Sequence, residues 1–70
     1  MAILALNTEQ VETLEKLIDA SSLREVLEEL SRIASAKADH IRDNWQDNKL
    51  AKTWRDDSNR IEVVAGRVRN

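Results

Sequence analysis

From Leu23 to Trp45 apolar side chains return at three- and four-residue steps, through Val26, Leu27, Leu30, Ile33, Ala34, Ala38 and Ile41, and neither Gly nor Pro interrupts them. That period is helical, and about 25 residues at ~1.5 Å rise make a rod of roughly 38 Å. A rod of this length outruns the usual width of a 70-residue globule, so one end projects unless another helix runs alongside. The rest of the chain can supply one. It has no Pro, Gly66 is its only Gly, and Glu, Leu, Ala, Arg and Lys, all strong helix formers, recur throughout. The expected fold class is all-α.

Start signals divide the chain into three helices. In Leu6-Asn7-Thr8-Glu9-Gln10-Val11, Asn7 can accept from free backbone N–H groups while Gln10 reaches back, as in a capping box, and Leu6 and Val11 take the places of a hydrophobic staple. A first helix is predicted over about 8–20, with Val11, Leu14, Leu17 and Ile18 on one face. Ser22-Leu23-Arg24-Glu25 is a second capping box and opens a helix over about 22–46. Gln46-Asp47-Asn48-Lys49 is the candidate turn, since Asp and Asn tolerate turn geometry and either can cap the next helix. A third helix is predicted over about 49–68, fraying near Gly66.

Antiparallel folding about Asp47 and Asn48 sets Trp45 beside Leu50, Ile41 near Trp54, Ala34 near Ile61, Leu30 near Val64 and Ala65, and Leu27 near Val68. Two independent apolar series thus meet, which supports a hairpin of helices two and three with the short first helix packed on it. The small residues of Ala34-Ser35-Ala36-Lys37-Ala38 allow a close approach. One domain covers residues 1–70.

A chain of this length buries only about 60% of its unfolded surface, so its stability margin is thin. Without Cys it has neither disulfides nor a thiolate metal site, which leaves packing or association. Association is the expectation: a homodimer in which paired hairpins complete a helical bundle. The interface expected from the pattern comprises Ile3, Leu4, Leu6, Val11, Leu14, Leu17, Ile18, Leu23, Val26 and Leu27. Charge favours self-complementarity. Residues 1–30 hold seven acids and two bases, residues 31–70 nine bases and six acids, so the halves carry −5 and +3.

The segment Met1 to Leu6, followed by a capped helix and a second helix from Ser22, resembles the ribbon-helix-helix DNA-binding dimers over barely half the chain. That family offers alternating polar residues from its strand to the DNA groove. Ala2-Ile3-Leu4-Ala5-Leu6 has none, and the N-terminal half is acidic, so the segment is expected instead to be an apolar arm packed on a partner subunit or over the hairpin.

Each candidate for chemistry has a structural counterpart. His40, Asp43 and Asp47 run down one helix side, and Asp56 or Asp57 could approach them, but the spacing matches neither His-Glu-x-x-His nor paired Glu-x-x-His, and a solvated face is the expected reading. Lys37 and Asp57 are expected to form a partly buried ion pair in the hairpin seam. No acid, base or oxyanion donor can be placed beside Lys37 to make it catalytic. Trp45 and Trp54 fall in phase with the apolar stripe and are expected to plug the turn end of the core. As a surface pair rimmed by Arg42, Lys49, Lys52 and Arg55 they would instead bind a partner, a protein or the bases of a nucleic acid.

No Gly-rich phosphate loop, nucleophile elbow or dense basic block is present, and no stretch nears the ~20 apolar residues of a membrane span. Met1-Ala-Ile-Leu-Ala-Leu6 lacks the basic start and cleavage site of a signal peptide. The expectation is a non-enzymatic, cytoplasmic protein–protein interaction or regulatory module without cofactor or metal. A nucleic-acid-associated regulator using the Trp, Arg and Lys end of the hairpin is the alternative.

Overall fold

A computed structural model describes residues 5–70. Within them the chain forms α1 (Thr8–Ala20), α2 (Leu23–Trp45) and α3 (Asn48–Ala65), the order predicted, and no strand among the described residues. The starts are those the sequence announces. The Asn7 side chain accepts from Gln10 N–H while the Gln10 side chain accepts from Asn7 N–H, both at 2.9 Å. Ser22 Oγ accepts from Glu25 N–H at 3.0 Å. The turn between α2 and α3 is tight: Gln46 takes the left-handed conformation (φ 54, ψ 30), and Asp47 caps α3 by accepting from Leu50 N–H at 3.0 Å. α3 stops at Ala65, short of the predicted end, as backbone bonds turn the chain at Gly66 to Val68. At its far end the hairpin is tied by Arg24 N–H, which donates to the Asn70 carbonyl at 2.7 Å.

α2 and α3 pack along their lengths, whereas α1 touches α2 lightly and does not reach α3. None of α1's residues is buried. The molecule is accordingly flat, 37 × 29 × 17 Å, with a Cα radius of gyration of 13.9 Å. A compact chain of this size would have about 11 Å.

The seam differs from the predicted one. Every buried side chain among the described residues is Ala or Ser: Ser31, Ala34 and Ala38 from α2, and Ala51, Ser58 and Ala65 at a heptad spacing from α3. Leu50 and Val64, expected in the seam, are exposed, and Trp54 and Ile61 are half-buried. The reason is geometric. Two helices alone have one line of closest approach, and small residues on it let the backbones come near, while larger neighbours are pushed to the shoulders.

Within the seam Ser31 Oγ donates to the Ser58 carbonyl (2.9 Å) and Ser58 Oγ donates to the Ser31 carbonyl (2.8 Å). Replacing one serine by alanine leaves one of these bonds broken, and Ser31→Ala is expected to cost about 1 kcal/mol. The double change Ser31→Ala with Ser58→Ala removes both bonds, and because each acceptor is a backbone carbonyl that stays in place, its loss is expected to be about the sum of the single losses, ~2 kcal/mol. Urea unfolding of the three variants checks this, and a double variant as stable as the parent would contradict it.

Candidate functional site: the open apolar face of the hairpin

The seam leaves two unlike sides. On one, α2 contributes Ile33, Ala36, Lys37, His40, Ile41 and Trp45, and α3 contributes Leu50 and Trp54, to a shallow, largely apolar groove. On the other, Arg24, Glu28, Arg32, Asn59 and Glu62 rim a polar groove floored by Ser31 and Ser58. The division arises from helical periodicity. In both helices the small seam residues sit at the edge of the apolar stripe, about a fifth of a turn off its centre. Because the helices are antiparallel, the two stripes open toward the same side.

The apolar face has little cover among the described residues. Trp45 is 70% exposed, Ile33 49% and Leu50 41%, and Leu30 and Val64 are exposed further along. Trp45 is therefore no core plug: the left-handed turn at Gln46 comes directly after it, and α3 starts too close to fold back over its ring. Trp54, half-buried, is the better anchored of the pair, with Lys37 Nζ 5.6 Å from its ring centroid. This is cation–π distance and replaces the ion pair expected between Lys37 and Asp57. Asp57 instead accepts from Arg60 at 2.9 Å, one turn along its own helix.

The bases expected to rim the two Trp rings are largely drawn elsewhere. Arg55 pairs with Asp39 and reaches Ser35 Oγ at 3.4 Å, which places it on the polar side. Arg42 pairs with Asp43 at 3.0 Å and Asp39 at 3.5 Å. The hydrogen bond from Arg42 to Asp43 raises its already high pKa. Lys52 donates to Asp56 at 2.8 Å, and this bond holds the Asp56 carboxyl below its ordinary value, so the pair weakens only as pH falls toward that lowered value. Lys49 makes no ion pair among the described residues.

Of the residues expected at a dimer interface, Leu6, Val11, Leu17 and Leu23 are exposed, Leu14, Ile18, Val26 and Leu27 are half-buried, and Ile3 and Leu4 lie outside the described residues. Apolar patterning alone confines the expected interface to that aliphatic end. It assigns Leu30, Ile33, Leu50 and Val64 to the seam, where the structure instead leaves them exposed. The heptad of small residues in α3 is the signal that marks the true contact line.

Among the described residues no three His, Cys, Asp or Glu converge as metal ligands. His40 Nδ1 lies 3.1 Å from the Asn44 amide, Asp43 takes Arg42 and Asp47 caps α3, so each member of the His40, Asp43 and Asp47 set has a local partner. No described helix is long and apolar enough to cross a membrane. No protein-family model, curated protein or solved structure matches the chain.

Proposed function

We propose that this chain is a non-enzymatic helical interaction module that binds protein through the open apolar face of the α2–α3 hairpin, and that its first partner is a second copy of itself. One observation carries the reading. Only Ala and Ser are buried among the described residues, while Leu30, Ile33, Trp45, Leu50 and Val64 stand exposed on one side of a single helical layer. A domain core needs two packed layers, and a sheet or helix pair with one apolar side finds the second layer in a neighbour. In a homodimer the two hairpins become a four-helix bundle, and the large side chains form the core that each hairpin lacks.

The reading supports regulatory or scaffolding work, in which the assembled bundle presents its polar outer sides and α1 to other proteins. The nucleic-acid alternative loses its main support, because Arg42, Lys52 and Arg55 are engaged by carboxylates rather than arrayed around the Trp rings. Sedimentation equilibrium on the whole chain is expected to give a dimer at tens of micromolar, with a melting temperature that rises with protein concentration. A folded monomer whose stability does not depend on concentration would remove the proposal.

A further inference from the structure

The charges flanking the apolar face select one way of pairing two copies. On α2 the outer row beside this face carries Glu25, Glu29, His40 and Asp43, and on α3 the outer row carries Lys49 and Arg60, with Arg67 in the turn just past its end. His40 and Arg60 mark these flanks, since each borders an apolar stretch of surface, Arg60 together with Val63 and Val64. One edge of the face is thus acidic and the other basic. Glu25, Lys49 and Arg67 make no ion pair among the described residues, while Glu29, Asp43 and Arg60 have only exposed partners on their own helices.

Resting on the self-association proposed above, we infer that the dimer is built about a twofold axis running along the hairpin, so that α2 of one copy lies over α3 of the other. The available face supports a copy of this size: the 23 residues of α2 at ~1.5 Å rise span about 35 Å, and with two helix widths of ~10 Å this gives roughly 700 Å², near the ~800 Å² that each partner buries in a stable complex. Levels along the hairpin come from three observed contacts, Arg24 with Asn70, Ser31 with Ser58, and Lys37 with Trp54. A twofold axis along the hairpin preserves those levels while exchanging its edges. Glu25 then faces the partner's Arg67, Glu29 the partner's Arg60 and Asp43 the partner's Lys49, each twice by symmetry. Asp56 shares the basic row and is paired with Lys52 on its own helix, as Asp43 is with Arg42, but it stands level with the uncharged Ala36 and so opposes no charge of the partner's acidic row.

The competing arrangement has its axis across the hairpin and lays α2 on α2 and α3 on α3. It sets Glu25 against Asp43 and Lys49 against Arg67, like against like at both edges. The apolar stripe alone does not distinguish the two. The edges do, because opposite charges across an interface fix register and like charges oppose it.

Sedimentation equilibrium on whole-chain variants tests the geometry. Lys49→Glu with Arg67→Glu reverses the basic edge, Glu25→Lys with Asp43→Lys reverses the acidic one, and a four-site chain carries both. Each two-site variant is expected to dimerise about 10- to 100-fold more weakly than the parent at low salt, and the four-site chain to return near the parent value. Added NaCl is expected to weaken the parent dimer. Recovery in the four-site chain excludes misfolding as the cause of the two-site losses; a four-site chain that stays weak overturns the inference. Two-site variants that dimerise like the parent, with a parent dimer that tightens in salt, would establish the crossed arrangement instead. A parent that is monomeric throughout removes self-association itself, an outcome distinct from both.

Discussion

Ala38→Leu is expected to pry α2 from α3 and to lower the stability of the hairpin by about 2 to 3 kcal/mol, the upper part of the range for overpacking. Ala38 is 0% exposed, in the only extensive contact between helices among the described residues, and the residues buried on the other side of the seam, Ala51, Ser58 and Ala65, are themselves Ala or Ser. A leucine there has no void to enter. It can be accommodated only by moving the helices apart, which forfeits close contact along the whole seam. For a chain of this size the melting temperature should fall by roughly 10 to 20 °C. Ala36→Leu is the control, because Ala36 is exposed and borders the apolar groove, so the added carbons enter the open face. Thermal unfolding by circular dichroism checks both. An Ala38→Leu chain that melts with the parent would mean that the seam is looser than its burial indicates.

Ile33→Asp combined with Leu50→Asp is expected to abolish self-association at tens of micromolar. Both side chains are exposed in the single chain, so a protein that worked as a monomer would lose little by the exchange. In the dimer both are covered, and each copy contributes both. If about 1 kcal/mol of apolar transfer remains to be gained at each position, as befits a half-exposed Ile or Leu, four positions supply ~4 kcal/mol. That is about a thousandfold in dissociation constant, before any penalty for enclosing four carboxylates. The expected reading is a monomeric sedimentation profile and a melting temperature that no longer responds to concentration. A doubly substituted chain with the parent's oligomeric state would exclude this face as the interface.

The two substitutions address different parts of one pattern, and that pattern is only half legible in the sequence. Helix starts are plain, because a cap is a local event: Asn7 with Gln10, and Ser22 with Glu25, meet their partners three residues away whatever the rest of the chain does. The turn is legible for the same reason, with Asp47 capping α3, although the left-handed residue is Gln46 rather than an Asn or Asp. The line of contact is not. Apolar periodicity reports which face of a helix avoids water, and large residues dominate that signal, so it points Leu50 and Val64 at the seam that Ala51, Ser58 and Ala65 occupy. The expected Lys37 to Asp57 pair fails with it, since Asp57 finds Arg60 within its own helix.

The site depends on the seam. Bases near Trp45 and Trp54 in sequence look like a rim, but Arg55 faces Asp39 across the polar side and Arg42 is held by Asp39 and Asp43. Neighbours along a helix spread around its whole circumference, so closeness in sequence is a poor guide to a shared face.

The residues alone are therefore enough for the local part: the all-α class, the three helices, their caps, and the hairpin's antiparallel course. Each rests on interactions that close within a few residues or on the period of one helix. Tertiary packing settles which side of each stripe becomes the seam, and hence that the large apolar residues face outward together. That choice depends on how near two backbones can come, a property of the pair of helices that neither helix carries alone.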